Sequence, residues 1–168
     1  MSGATDAPAS PAYRAVFGAA ESLAAIDEVI ARAHQALRVF DPSLARRGLD
    51  TPARAEKLRD FLVAGRSHRL LVALHDPETV ARDCPRLIML LRQFPMQVEI
   101  HRTLAQARNA SDAFVLADDH SVWHQLHTTQ PRAIVALHSP LDALPIAQRF
   151  EEIWELSEAA VSATTLGL

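Results

Sequence analysis

Cysteine, lysine and glycine are scarce in this chain of 168 residues, and each scarcity excludes a class of protein. Cys84 is the single cysteine, so neither an intrachain disulfide nor a cysteine-based zinc cluster can form. Five glycines leave little for a glycine-rich phosphate loop, and the sequence contains no Gly-x-Ser-x-Gly nucleophile motif. We therefore expect a protein of a reducing compartment, the cytoplasm.

Long apolar runs and an excess of positive charge are missing as well. No stretch approaches the roughly 18 apolar residues of a membrane-spanning helix, and residues 1–11 lack the basic start and apolar core of a secretion signal. Lys57 is the only lysine, and 17 basic residues face 20 acidic ones, which gives a formal charge of -3. These features predict no membrane partner, and they do not favour nucleic acid as a partner.

The composition that is present is typical of one folded domain. Hydrophobic residues make up 49% of the chain and charged residues 22%, which excludes intrinsic disorder, and chains of this length rarely divide into two domains. Both ends offer little that a core would bury. We predict a single domain over residues 13–161, with disordered tails at residues 1–12 and 162–168.

Helical and extended patterns alternate over the first hundred residues. Apolar side chains recur at steps of three and four in Glu21–Gln35, which predicts a helix, and Thr51-Pro52 is typical of a second helix start. Short apolar runs predict strands at Leu37–Phe40, Arg69–Leu74 and Gln97–His101. This alternation indicates an α/β fold.

Strands predominate in the rest of the chain. Ala113–Ala117 and Ser121–Leu126 flank a polar turn and predict a hairpin, and Ala133–Leu137 predicts one more strand. The final helix begins at Ser139-Pro140, and we expect it to include Val161. The whole pattern predicts a three-layer αβα sandwich around a mixed, largely parallel sheet.

Polar side chains follow five of the predicted strands. These candidate ligand-binding residues are Asp41, His75, His101, Arg102, Asp118 and His138. If the strands are parallel, all of them lie at one edge of the sheet, where open α/β folds bind ligands, and the cleft would suit a small anion. The alternative is that each is the ordinary polar residue at which a strand surfaces, and antiparallel neighbours would separate them.

A second group of polar residues lies close together in the sequence. On a helix, His120, His124 and His127 would share one face, as metal ligands do, with Asp119 beside them. On a strand, His127 turns to the opposite face, and the apolar residues between the histidines favour this extended form. We therefore predict no metal site, and the sequence indicates no cofactor.

Two other features have ordinary structural interpretations. Cys84 precedes Pro85 at the start of an apolar helix, which is typical of a buried, unreactive thiol. Arg46 and Arg47 are most simply interpreted as solvated positions in a loop.

The order of these elements resembles one half of a phospholipase D-like protein, over about Tyr13 to Val161. The resemblance rests on the residue composition of the strands and on their order among the helices. These strands are Arg38–Pro42, Leu70–Leu74, Val98–His101 and Phe114–Asp119. It implies an α/β scaffold. Because members of this superfamily join two halves in one site, it also implies a homodimer.

Active members of that superfamily carry a motif of His, any residue, Lys, four residues and Asp. In the motif the histidine attacks a phosphodiester and the lysine holds phosphate. On the strand that ends in Asp118, the histidine position holds Ser111 and the lysine position holds Ala113. A Gly-Ser pair expected farther along falls at Gln125 and Leu126. The resemblance therefore implies the scaffold and argues against the reaction.

Three functions are compatible with these residues. The one we favour is a noncatalytic phospholipase D-like module that binds a small anionic ligand or another protein. The second is a diverged phosphodiesterase in which His101 or His138 acts as nucleophile or general acid and Arg102 replaces the lysine. The third is a metal-dependent protein that uses His120 and His124, with or without Asp119.

Overall fold

The computed structural model describes residues 10–44 and 47–163. Most of the two predicted tails, residues 1–9 and 164–168, lies outside this part of the chain. The described part contains one sheet, whose strands are β1 (Ala12–Phe17), β2 (Ala36–Phe40), β3 (Arg69–Leu74), β4 (Val98–Thr103), β5 (Ala113–Ala117), β6 (Ser121–Gln125), β7 (Arg132–Leu137) and β8 (Ser157–Val161). Its helices are α1 (Gly18–Ile30), α2 (Pro52–Val63), α3 (Glu78–Asp83), α4 (Pro85–Gln93) and α5 (Pro140–Glu155).

The helix starts follow from local chemistry. The Thr51 hydroxyl accepts a hydrogen bond from the backbone N–H of Arg54 at 3.3 Å, and Pro52 occupies the first turn of α2, where its missing N–H costs nothing. Pro85 separates α3 from α4, as a proline inside a helical stretch does. None of the helices in the described ranges is both long and apolar enough to cross a bilayer.

The sheet has the strand order β1-β7-β6-β5-β2-β3-β4-β8. Strands β2, β3 and β4 are parallel, because helices connect each of them to the next. One apolar core lies between the sheet and α1, α2, α3 and α4, and a second lies between the sheet and α5. The predicted three-layer αβα sandwich with a mixed sheet is therefore confirmed.

The expectation of a largely parallel sheet is wrong. Two of the seven neighbouring strand pairs are parallel, and the other five are antiparallel. The predicted hairpin of β5 and β6 is present, and β7 adds to it in the antiparallel sense. Short connections such as the three-residue turn after Ala117 join only antiparallel strands, so the later half of the chain cannot extend the parallel arrangement.

The last segment differs from its prediction as well. The final helix ends at Glu155, and Ser157–Val161 forms β8 instead of continuing α5. This strand pairs antiparallel with β4, whose backbone groups would otherwise lie unpaired at the edge of the sheet. The composition of the segment suits a helix, but pairing with β4 decides its structure.

The ends of the strands lie along two opposite sides of the sheet, which differ from its outermost strands β1 and β8. We call the upper edge the one at which β1, β2, β3, β4 and β6 end and at which β5, β7 and β8 begin. The opposite edge is the lower edge.

Candidate functional site

The structure divides the six predicted ligand-binding residues between the two edges of the sheet. Toward the upper edge it places Asp41, His75, His101 and Arg102, and at the lower edge it places Asp118 and His138. The division arises because β5 and β7 run opposite to β2, β3 and β4. The single shared cleft is therefore wrong, whereas ligand binding by the individual residues stays a prediction.

His75 is buried and connects the ends of neighbouring segments at the upper edge. Its Nε2 lies 2.8 Å from the carbonyl oxygen of Ala110, and its Nδ1 is hydrogen-bonded to the Thr103 hydroxyl. A carbonyl oxygen only accepts, so Nε2 carries the proton and Nδ1 accepts from Thr103. Both ring nitrogens are thus used within the protein.

His101 and Arg102 make contacts with the last two elements of the chain. The His101 ring stacks on Trp154, with ring centroids 3.6 Å apart, and its Nδ1 lies 2.9 Å from the Ser157 hydroxyl. Burial lowers the pKa of His101, and this effect exceeds the opposite effect of Glu99. Arg102 donates to Glu158 across the β4–β8 pair at 2.6 Å. This pair of residues therefore joins β4 to α5 and β8.

Asp118 anchors the start of β2. Its carboxylate accepts hydrogen bonds from the backbone N–H groups of His34, Gln35 and Ala36, at 2.9, 2.8 and 2.8 Å. Burial alone would raise the pKa of Asp118, but these hydrogen bonds lower it. Asp118 is the one residue that matches the phospholipase D-like motif, and in this structure its carboxylate stabilises the backbone at the start of β2.

His138 is linked to Asp118 through His120, whose Nε2 lies 3.4 Å from the Asp118 carboxylate. Nε2 of His138 accepts a hydrogen bond from Nε of Arg32 at 3.1 Å, and the His138 ring stacks on His120 with centroids 5.7 Å apart. Burial, Arg32 and His120 all lower the pKa of His138. The proposed pairing of His138 with Arg102 in a diverged phosphodiesterase is not available, because the two residues lie at opposite edges.

The group of three histidines is divided in the same way. His120 lies in the lower turn between β5 and β6, whereas His124 is near the upper end of β6 and His127 follows it in the loop. The extended form predicted for this stretch is confirmed. Within residues 10–44 and 47–163, no set of three or more His, Cys, Asp or Glu side chains is arranged to hold a metal ion.

Arg47 corrects the expectation of a solvated loop residue. It is 8% exposed, its Nε is ion-paired with Asp41, and its guanidinium carbon lies 4.9 Å from the ring centroid of Trp123. The other oxygen of Asp41 accepts from the backbone N–H groups of Ser43 and Leu44. Pairing with a buried carboxylate and stacking on an indole ring explain why this cation is tolerated inside the protein. Arg46 lies outside the described residues.

A second buried carboxylate lies at the start of β5. Arg149 of α5 donates to both oxygens of Asp112 from its Nε and Nη2, at 2.8 and 2.6 Å, and His124 Nε2 lies 3.1 Å from Asp112. Burial would raise the pKa of Asp112, but hydrogen bonds from His124 and Arg149 outweigh it and lower the pKa to about 2. The carboxylate therefore stays charged and keeps both partners in place.

A pocket of about 440 Å³ opens beside this cluster, and we call it the α5-side pocket. Its polar lining consists of Asn109, Ser111, Asp112, His124, His127 and Arg149. Ser111 is the residue at the motif histidine position, whereas Ala113, at the lysine position, is fully buried and paired with Gln125. The pocket thus coincides with one motif position and contains an arginine and two imidazoles from elsewhere in the chain.

Sequence reasoning missed the residues that form this cluster. Asp112 and His124 lie 12 positions apart and Arg149 is 37 positions beyond Asp112, so no local spacing connects all three. A weak signal was available for one pair. His124 and the start of β5 belong to the hairpin, which the sequence predicts, and its register places them side by side.

The fold is shared with solved structures of low sequence identity. TrmBL2, described as an archaeal chromatin protein with a novel mode of DNA binding, has a TM-score of 0.66 and 12% identity, over 88% of this chain and 54% of its own. Nuc from Salmonella typhimurium, a phospholipase D family member, has a TM-score of 0.63 and 12% identity, over 91% and 100%. NucT from Helicobacter pylori has a TM-score of 0.60 and 12% identity, over 90% of this chain and 100% of its own. The fold is therefore phospholipase D-like, and the chain spans about half of TrmBL2.

Comparison by sequence identifies the family directly. No curated protein matches the chain significantly. A family described as "Domain of unknown function (DUF7931)" matches residues 18–166, which is most of the chain. The protein belongs to this DUF7931 family.

Proposed function

We propose that the protein is a noncatalytic phospholipase D-like module that binds a small phosphate-bearing anion in the α5-side pocket. The observation that carries the proposal is the Asp112, His124 and Arg149 cluster beside Ser111. The cluster supplies a cation, Arg149, in the pocket that contains the motif histidine position, and that position holds Ser111 instead of an imidazole nucleophile.

The charges of the pocket support binding of an anion. Asp112 is the one carboxylate in its lining, and both of its oxygens are already bonded to Arg149 or His124. Nη1 of Arg149 donates no hydrogen bond within the described ranges, and the side chain of His127 is exposed there without a partner. Guanidinium and imidazole groups recognise phosphate oxygens well, and a partly enclosed pocket strengthens that attraction.

The positions of the motif residues support binding without turnover. A phosphohistidine mechanism requires an imidazole nucleophile and a cation on the phosphate oxygens. Ser111 offers a hydroxyl instead, and the methyl group of Ala113 is buried away from the pocket. Nε2 of His124 is held by Asp112 and is not directed at a ligand.

The alternative of a diverged phosphodiesterase is favoured by one observation. Asp112 orients His124 in the way that a carboxylate orients a catalytic imidazole, and Arg149 lies next to both. In that case His124 would take the place that the sequence assigned to His101 or His138.

Two measurements separate these functions. Incubation with bis(4-nitrophenyl) phosphate should release no nitrophenol, whereas release that disappears in His124→Ala would establish the enzyme. Inorganic phosphate should bind the wild type saturably in calorimetry. His127→Ala should weaken that binding about tenfold, the loss expected for one charge-assisted hydrogen bond.

His34→Ala is the matched control, because His34 is an exposed histidine near the lower edge, far from the pocket. It should bind phosphate as the wild type does. Equal affinity in wild type and His127→Ala would contradict the proposed pocket.

We also propose that the protein forms a homodimer through β1. This strand has a neighbour on one side, β7, and its other edge is unpaired within the described sheet. Tyr13 and Phe17, which lie on one face of β1, are 61% and 57% exposed. Pairing of two β1 strands across a twofold axis would satisfy the backbone groups and cover these rings.

A further inference from the structure

A second pocket lies on the other face of the sheet, between the start of α1 and the loop from β6 to β7. We call it the α1-side pocket; it has a volume of about 220 Å³. Its polar lining is formed by Ser22, Arg47, Gln125, Thr128, Thr129 and Gln130. None of the α5-side residues named above lines it, so it is a separate site.

Gln125, which lines this pocket, carries an unsatisfied acceptor. The side chain is 6% exposed, its Nε2 donates to the carbonyl oxygen of Gln130, and its Oε1 is buried without a hydrogen-bond partner. Because Nε2 donates to a carbonyl, the amide orientation is fixed and the orphan atom is the oxygen. A buried acceptor without a donor destabilises the fold, and a ligand hydroxyl or amine would supply the missing donor.

Arg47 provides positive charge at the same place. Its Nε is bound to Asp41, whereas its two terminal nitrogens donate no hydrogen bond to any part of the chain that the structure describes. The guanidinium lies over Trp123, which belongs to the same strand face as Gln125 two residues later. Cation and orphan acceptor therefore line the pocket together.

The start of α1 adds backbone donors. No side chain caps the first turn of α1 from its N-cap residue Phe17, and Gly18 and Ala19 line the pocket. The N–H of Gly18 donates to Pro131, and the N–H of Phe17 donates to Glu21, whose carboxylate offsets part of the positive charge at this helix end. The next N–H groups of the first turn have no partner within the helix. These N–H groups at the start of the 13-residue helix can donate to an anionic group bound in the pocket.

We infer that the α1-side pocket binds a small phosphate or carboxylate compound that carries a hydroxyl group next to its anionic group. The anionic group contacts Arg47 and the start of α1, and the hydroxyl donates to Oε1 of Gln125. The pocket continues past Arg47, Thr128 and Thr129 into a space lined by Asp41 and Ser43, which accommodates the rest of a polyol.

The requirement for a hydroxyl distinguishes this ligand from the anion proposed for the α5-side pocket. A bare phosphate satisfies Arg47 but leaves Oε1 of Gln125 without a donor. The two sites are therefore separable, and failure of either leaves the other standing.

The experiment compares glycerol 3-phosphate with inorganic phosphate by titration of the 15N-labelled full chain. Resonances of Gln125 and Thr129 should shift saturably with glycerol 3-phosphate and respond at least about tenfold more weakly to phosphate, the difference expected for one satisfied acceptor. Resonances of His127 report the α5-side pocket independently.

Gln125→Met removes the orphan oxygen at nearly constant volume, so it should fold and should bind both compounds with equal affinity. Gln93→Met, an exposed glutamine on α4, should keep the wild-type preference. Equal binding of the two compounds by the wild type, or a preference unchanged in Gln125→Met, would overturn the inference.

Discussion

The guanidinium of Arg149 holds both carboxylate oxygens of Asp112, with Nε to Oδ2 at 2.8 Å and Nη2 to Oδ1 at 2.6 Å. The pair joins α5 to the start of β5, and Asp112 is 5% exposed. A bidentate contact between these two groups fixes direction as well as distance, so Arg149 is positioned before any ligand arrives. His124 completes the arrangement from β6.

We predict that Asp112→Asn removes an acid-sensitive part of the stability. The pKa of Asp112 is lowered from 3.8 to about 2, so the charged carboxylate stabilises the fold above its unfolded pKa. This contribution is lost as the pH falls through the folded value, because the unfolded chain then binds the proton first. The variant should lose about 2 kcal/mol of unfolding free energy near neutral pH and match the wild type near pH 2.

Urea unfolding at a series of pH values measures this difference. Asp119→Asn is the control, since Asp119 is an exposed carboxylate in the turn after β5 and contacts Arg38 at the surface. A constant gap between Asp112→Asn and wild type from neutral to acid pH would contradict the assigned role of the charge.

We predict that Asp118 stabilises the fold, and that the loss of unfolding free energy depends on which residue replaces it. Asp118 accepts from three backbone N–H groups and adopts a positive φ of 52°. Asp118→Ala leaves these donors without an acceptor and disfavours the left-handed backbone, so about 3 kcal/mol should be lost. Asp118→Asn keeps one acceptor oxygen and tolerates the φ angle, so its loss should be smaller.

Chemical denaturation of the two variants beside Asp119→Ala tests this order. If Asp118→Ala unfolds at the wild-type denaturant concentration, the carboxylate does not anchor β2. The motif match would then need a different explanation.

Local sequence patterns were sufficient for most elements of this fold. The strands β2, β3 and β7 and the hairpin of β5 and β6 follow from short apolar runs and a polar turn, and the start of α2 follows from Thr51 and Pro52. The sequence does not predict strand direction, because an apolar strand has the same pattern whether its neighbour is parallel or antiparallel. β8 was missed because its pairing partner β4 lies more than fifty residues away.

The candidate sites depended still more on distant contacts. The sequence predicts a solvated loop residue at Arg47, because nothing nearby in the sequence shows that Asp41 and Trp123 enclose it. Asp118 and His138 follow strands as His75 does, but opposite strand directions place them at the lower edge. The sequence alone shows that the motif histidine and lysine are missing, because their positions hold Ser111 and Ala113.

We predict that His101 makes the protein less stable at mildly acid pH. Burial against Trp154 lowers the pKa of His101, so the unfolded chain binds a proton at a higher pH than the folded chain does. Unfolding free energy should therefore fall as the pH drops below about 6.5, the ordinary pKa of histidine in an unfolded chain. His101→Phe keeps a ring on Trp154 without a titrating group, so it should flatten this part of the profile.

The pKa of His138 is lowered as well, so a residual slope should remain in His101→Phe. His34→Phe is the control at an exposed histidine and should keep the wild-type profile. Thermal unfolding at matched ionic strength measures all three proteins. An unchanged slope in His101→Phe would show that the imidazole does not carry the effect.

We predict that substitutions on β1 convert a dimer into a monomer. Tyr13 and Phe17 are exposed on the unpaired edge strand, while Val16 on the opposite face is buried against the rest of the fold. Tyr13→Ser with Phe17→Ser removes the apolar contact and leaves the core untouched. Light scattering at micromolar concentration should give twice the chain mass for the wild type and one chain mass for the variant. Leu141→Ser, at an 88% exposed leucine on α5, should remain dimeric, and a monomeric wild type would refute pairing through β1.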